Sequence, residues 1–256
     1  MKQLKFKFVA LSSALYVSQV VPKANNMIAN PQQFDDETCY NFAKKIIRHM
    51  TRRAMTRTVC VGEENLPKEG GYIMYSNHQG KYDALGILLK HKRPCSVLWE
   101  EKSADRILAR QVCGLIKGKV ISFTDFRAQI KCLNELADEV KNGRPFLIFP
   151  EGGYKDNKNN LQEFKHGCFT CSIKSQTPIV PVCIYDSWKS MDTNLILPAR
   201  TQVHFLKPIM PEEYAGLKKP EISDLVKSRI ETRLNEIKEG KYKGKNLRKL
   251  IKQNKK

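Results

Sequence analysis

No run of about 20 apolar residues occurs in the 256-residue chain, which excludes a straightforward membrane-spanning helix. The chain has no G-x-S-x-G elbow, so covalent acyl-serine chemistry has little support. Its eight cysteines (Cys39, Cys60, Cys95, Cys113, Cys132, Cys168, Cys171 and Cys183) are scattered instead of forming a compact disulfide framework, a pattern of free thiols in a reducing compartment. Cys168 and Cys171 make the single C-x-x-C, and no second pair stands at a spacing that would complete a tetrahedral zinc site, so no metal is expected. Acidic residues are few, 26 against 45 lysines and arginines, and the net charge of +19 implies an anionic partner, either nucleic acid or a lipid surface. A nucleic-acid binder predicts cations interleaved with aromatics on strands or a recognition motif, and neither is found. Internal repeats and low-complexity linkers are also missing, so one main domain is the simplest division.

Hydrophobic residues, at 41%, suffice for a sizeable core. Short apolar runs at 58–61, 72–75, 96–99, 120–123, 146–149, 179–184 and 202–206 read as strands. Helical stretches separate them. The clearest covers 127–141, where Ile130, Leu133, Ala137 and Val140 fall on one stripe and Gly143 follows as a stop. The alternation predicts an α/β fold, a largely parallel mixed sheet with helices on both faces. Ligands in such sheets bind at the carboxyl ends of strands.

At the end of the second run lies Asn77-His78-Gln79-Gly80-Lys81-Tyr82-Asp83. His78 in a loop and Asp83 in the first turn of a following helix are five residues apart, so their side chains can converge. A carboxylate on one imidazole nitrogen fixes the tautomer and leaves the other nitrogen to take a proton, the arrangement of a general base held by its orienting acid. A capping aspartate beside a histidine without a chemical role is the plainer reading of these seven residues.

A second polar stretch, Pro150-Glu151-Gly152-Gly153-Tyr154-Lys155, follows the buried run at 146–149, and its two glycines let the backbone approach a ligand. NHxxxxD and FPEG in this order, about seventy residues apart, resemble the 1-acylglycerol-3-phosphate (lysophosphatidate) acyltransferase family. The resemblance runs from about Gly62 to Leu206 and includes Leu161-Gln162-Glu163-Phe164-Lys165-His166-Gly167, similar to the family's FKxG segment, and Ile179-Val180-Pro181-Val182, similar to its fourth block. It implies that His78 deprotonates the acceptor hydroxyl with Asp83 as partner. Glu151 and Gly152 would belong to the acceptor site, Asn77 would support the loop, and backbone amides would stabilise the tetrahedral oxyanion. It further implies transfer of a fatty acyl group to the 2-hydroxyl of lysophosphatidate, with acyl-CoA or acyl carrier protein as donor and no metal or redox cofactor.

The chain departs from that family at two arginines thought to hold the acceptor phosphate. Phe123 stands in the second block, and Gly153 and Tyr154 replace Thr-Arg after FPEG. Lys119, Arg127, Lys155 and Lys165 are the candidate substitutes, although lysine is a point charge without the fork of arginine. Each is otherwise a solvated surface cation.

Residues 1–57 read as an N-terminal membrane-associating segment. The run from Phe8 to Val21, broken by Ser12, Ser13, Ser18 and Gln19, suits a shallow anchor, with a signal peptide as its rival. From Asp35, a capping candidate alongside Asp36, a helix carries Tyr40, Ala43, Ile47, Met50 and Ala54 on one stripe between Lys44, Lys45, Arg48, Arg52 and Arg53. It reads either as an interfacial helix on anionic lipid or as a domain helix with a solvated basic face. The catalytic domain is expected over 58–239 and a basic tail over 240–256, with eight cations from Lys241 to Lys256. The partners expected are an anionic membrane surface on its cytoplasmic face, lysophosphatidate and the acyl donor, without nucleic acid. Another acceptor, such as glycerol 3-phosphate or a different lysophospholipid, and a non-catalytic membrane scaffold are the remaining alternatives.

Overall fold

The computed structural model describes residues 3–104, 106–244 and 247. The chain opens with three helices, α1 (Leu4–Ser12), α2 (Ala14–Ala29) and α3 (Asp36–Arg53). There follow β1 (Thr56–Val61), β2 (Ile73–Ser76), α4 (Asp83–Lys90), β3 (Ser96–Glu100), α5 (Glu101–Ala104), α6 (Ala109–Leu115), β4 (Lys119–Ile121), α7 (Phe126–Lys141) and β5 (Phe146–Ile148). The last third adds α8 (Thr170–Ser175), β6 (Ile179–Tyr185), α9 (Trp188–Met191), β7 (Ala199–Phe205), α10 (Pro211–Tyr214) and α11 (Lys219–Lys238).

Seven strands form one sheet in the order β1-β7-β6-β2-β5-β3-β4, parallel at every pairing except the antiparallel β6 with β7. The central strands read as unbroken apolar runs because both faces are covered. Alternate residues divide between two cores. Tyr72, Met74, Leu147, Val180, Val182 and Val203 face α2, α3, α4 and α6. Ile73, Tyr75, Phe146, Ile148, Ile179 and Cys183 face α7, α8 and α11. Pro181 lacks an amide proton, and it stands just before the first β6–β7 pair, Val182 with Phe205.

The apolar stripe of α3 corrects the interfacial reading of that helix. Tyr40, Ala43, Ile46 and Ile47 are buried against the sheet, and the Tyr40 hydroxyl donates to the carbonyl of Leu88 at 3.2 Å. Val20, Ala24 and Met27 of α2 join the same core, so packing does not divide the chain near residue 57. Asp35 is the cap, accepting from the Thr38 amide at 2.7 Å. α1 is seated by Lys5, which is fully buried and donates to the carbonyls of Leu197 at 2.6 Å and Lys189 at 3.2 Å. Burial lowers its pKa.

Among the described residues no single helix is long and apolar enough to cross a membrane. α1 and α2 together pass by length and composition but are bent by 68°. Of the expected tail, Tyr242 packs its ring against the Arg233 guanidinium at 4.7 Å and Leu247 is buried. Lys245, Arg248, Lys249, Lys252, Lys255 and Lys256 lie outside the described residues.

Candidate active site

β2 ends in the middle of the sheet, and the loop that leaves its carboxyl end is held by side chains that continue the strand pairing. Asn77, fully buried, donates from Nδ2 to the Ile184 carbonyl at 3.1 Å and accepts the Ile184 amide at Oδ1 at 2.8 Å. Its amide thus does for β6 what a backbone peptide would do. Next to it, Gln79 accepts the Ser187 amide at 2.9 Å and donates to the Ile184 carbonyl at 3.0 Å. Gly80 is required by space: a Cβ there would lie 2.3 Å from Asp192 Oδ2.

This bracing brings His78 and Asp83 together. His78 Nδ1 lies 2.6 Å from Asp83 Oδ2, and that oxygen also accepts the amides of Gln79 and of Gly80, the latter at 2.8 Å. Asp83 is buried in the first turn of α4, where the helix N-terminus favours an anion. With Nδ1 donating to the carboxylate, Nε2 is the imidazole's free acceptor. The ring is stacked on Phe149 at 4.3 Å and meets Tyr154 edge-on at 4.8 Å, while its side chain stays 19% exposed. A substrate hydroxyl can therefore reach a base whose position is fixed on three sides.

Tyr154 is itself pinned. Lys81 donates to its hydroxyl at 3.1 Å and to Asp192 Oδ1 at 2.7 Å, and the same ammonium lies 5.4 Å from the Phe6 ring of α1. The seat of α1 is thus in contact with the loop that carries the histidine.

Glu151 supports the loop from beneath. Its Oε1 accepts the His78 amide at 3.2 Å, and its Oε2 accepts from Gln162 Nε2, which also donates to the Gly153 carbonyl at 2.8 Å. Burial pushes the Glu151 carboxyl up to about 7, against the opposing pull of Gln162 and the His78 amide. A folded-state value above the unfolded one means that the folded chain holds an extra proton. That stabilisation is full below the unfolded carboxylate range and is lost as pH rises through 7. Relative to Glu151→Gln, wild type is expected to lose on the order of 2 kcal/mol of stability between pH 5 and pH 8. Paired denaturation curves at the two pH values measure it, and a constant difference would contradict the burial argument.

The four candidate cations separate. Lys165 stands at the site, its ammonium beside Gly152 and 4.4 Å from the ring of Phe123. Gly152 has φ +68°, and a Cβ there would meet Lys165 Nζ at 2.6 Å. Lys155 is exposed on the same loop. Lys119 points elsewhere, paired with Glu139 at 2.8 Å and Glu135 at 3.1 Å on α7. Arg127 lies with Ile130, Lys131 and Asp138 on the outer face of α7 and is not brought to His78. Cys171 is buried with its thiol pushed up to about 12 by that burial. No three His, Cys, Asp or Glu side chains among the described residues could hold a metal ion.

Two supporting groups have no signal in the sequence. Asn157, which donates to the His78 carbonyl at 2.8 Å, and Asp192 reach the site only through tertiary contacts. Gln79 and Lys81 lie inside the first motif, and their roles depend on partners more than one hundred residues away.

A family model described as Acyltransferase matches residues 57–185. The chain is 26% identical over 191 residues to 1-acyl-sn-glycerol-3-phosphate acyltransferase alpha of Mus musculus, covering 69% of this chain and 63% of that protein. It is 24% identical over 187 residues to the 1-acyl-sn-glycerol-3-phosphate acyltransferase of Borreliella burgdorferi, covering 71% and 73%. The match to the chloroplastic enzyme BAT2 of Brassica napus spans 44% of that relative, so the chain covers between about half and two thirds of several curated relatives. The crystal structure of the 1-acyl-sn-glycerophosphate (LPA) acyltransferase PlsC from Thermotoga maritima superposes with a TM-score of 0.71 over 92% of this chain and 94% of that one. At 20% identity it is a likeness of fold.

Proposed function

Because the chain belongs to the acyltransferase family, we propose that it moves a fatty acyl group from a thioester to the 2-hydroxyl of 1-acyl-glycerol-3-phosphate, giving phosphatidic acid. The observation that carries this reading is the 2.6 Å contact of His78 Nδ1 with the buried Asp83, which leaves Nε2 of the partly exposed ring as the proton acceptor. The acceptor hydroxyl gives its proton to Nε2 as its oxygen attacks the thioester carbonyl. Asp83 stabilises the imidazolium, and backbone amides hold the tetrahedral oxyanion. Collapse of the intermediate breaks the carbon–sulfur bond, and the departing thiolate takes the proton back from His78. Coenzyme A and acyl carrier protein are both acidic donors that suit a chain of net charge +19.

Lys165, together with the exposed Lys155, takes the place of the arginines that would hold the acceptor phosphate. The position of Lys165 next to Gly152 on the loop below His78 supports this assignment. Leu4, Phe8, Leu11 and Leu15 are exposed along the α1–α2 elbow, which supports attachment to a membrane surface; with a net charge of +19 we assign it to an anionic surface at the cytoplasmic face.

A panel of acceptors tests the reading, with labelled palmitoyl offered on each donor to lysophosphatidate, glycerol 3-phosphate and lysophosphatidylcholine. Lysophosphatidate is expected to react fastest. Lys165→Met is expected to raise KM for it about tenfold with little change in kcat. Phe123 and Tyr154, standing where the resemblance leads one to expect arginine, favour a second reading in which the acceptor is another lysolipid. A faster rate with that acceptor would replace lysophosphatidate while retaining the base.

A further inference from the structure

On the opposite side of α3 from its buried stripe lies a surface cavity of about 440 Å³ lined by Tyr16, Asn41, Lys45, Arg48, His49 and Arg52. The five residues from α3 stand at i, i+4, i+7, i+8 and i+11, one continuous row on the helix. Every one of the six side chains can donate a hydrogen bond, and none is a carboxylate. Lys45, Arg48 and Arg52 have no ion pair within 4.0 Å among the described residues, in contrast to Lys117 and Arg144, which both reach Asp36.

Two polar atoms of the residues that line this cavity, the Tyr16 hydroxyl and His49 Nε2, are buried without a partner among the described residues. Their rings are stacked at 3.7 Å and 7° from parallel, so both heads are held in place by α2 packing on α3. A buried hydroxyl and a buried imidazole nitrogen without partners each cost free energy unless a ligand completes them. Burial and the neighbouring Arg53 and Arg52 keep His49 below its ordinary pKa, a bias that an anion would reverse.

We infer that this cavity is a second anion site, separate from the acceptor site, which takes the phosphate headgroup of a membrane lipid. The lipid source follows from the neighbouring residues: Leu15, adjacent to Tyr16, is 76% exposed and Leu11, at the end of α1 just before the bend, is 80% exposed. A lipid whose phosphate enters the cavity can lay its chains along these leucines. A phosphomonoester, with about −1.5 to −2 charge near pH 7 and three acceptor oxygens, matches the donor set better than a phosphodiester whose negative charge is shared with another group. The inference rests on the membrane-surface reading above and makes it specific: the surface is recognised headgroup by headgroup.

Vesicle binding by the full chain tests it, with phosphatidylcholine vesicles that contain either phosphatidate or phosphatidylserine, adjusted to equal surface charge. Wild type is expected to prefer the phosphatidate vesicles. Tyr16→Phe removes one hydroxyl while leaving charge and packing, and is expected to weaken binding to phosphatidate vesicles about tenfold and to phosphatidylserine vesicles hardly at all. Arg53→Gln, a charge lost outside the cavity, is expected to weaken both equally. If Tyr16→Phe changes neither, or both by the same factor, attachment is merely electrostatic and the site falls. If inorganic phosphate alone shifts the His49 ring resonances at concentrations that match the vesicle affinity, the ligand is free phosphate and the lipid assignment falls. Failure of wild type to bind any anionic vesicle would remove the membrane reading itself.

Discussion

His78→Ala is expected to lower the rate of acyl transfer by about 10³ to 10⁴-fold while leaving the fold in place. The imidazole is 19% exposed and its ring lies between Phe149 and Tyr154, so its removal opens a gap at the edge of the site and leaves both cores intact. The loop keeps its shape, because the contacts that set it belong to Asn77, Gln79 and Gly80 and to the backbone amide of His78 itself. What disappears is the proton acceptor. An alcohol attacking without one must lose its proton to water, and the remaining catalysis comes from the alignment of the two substrates. Circular dichroism and a melting curve establish that the variant is folded. Activity within tenfold of wild type would remove His78 from the base role.

Asp83→Asn is expected to cost on the order of 10³-fold or more in kcat with little change in KM. Asp83 Oδ2 receives three N–H groups, from the His78 ring and from the amides of Gln79 and Gly80. Asparagine with its oxygen in that place keeps the three contacts, and its NH2 group takes the place of Oδ1, which is buried without a partner among the described residues. What is lost is the charge, so the imidazolium that forms as the substrate proton arrives has no counter-charge beside it. The nitrogen-15 shifts of the His78 ring report the tautomer directly. An unchanged tautomer together with a large loss of rate is the expected result, a changed tautomer would mean that the amide has turned its NH2 group to Nδ1, and an unchanged rate would contradict the role of Asp83 altogether.

The central sheet was legible because parallel strands buried on both faces carry nearly unbroken apolar runs, as in residues 73–75 and Phe146–Ile148. The histidine and aspartate were legible for a related reason: five residues are enough to turn from a strand end into a helix, and both groups lie inside that turn. α3 was only half legible. An apolar stripe between cations is the same pattern in an interfacial helix and in a helix that covers a sheet, and what covers Tyr40 and Ile47 is set by contacts to residues some fifty positions away. Lys119 shows the same limit in the site. It occupies the expected block of sequence, yet the side chain turns to Glu135 and Glu139, whereas Lys165 from a later segment reaches Gly152. Asn157 and Asp192 were not legible at all, since a single amide or carboxylate without local pattern becomes part of a site only through the fold.

The most direct test of the account is the transfer of labelled palmitoyl from coenzyme A and from acyl carrier protein to lysophosphatidate, measured for purified wild type and His78→Ala in the same anionic vesicles. Wild type is expected to form labelled phosphatidate with at least one donor, and the variant, equally folded and equally bound, about one thousandth as much. Wild type that is folded and vesicle-bound but inactive with both donors and every acceptor would contradict it, and would leave a membrane-bound protein that keeps the acyltransferase fold without the reaction.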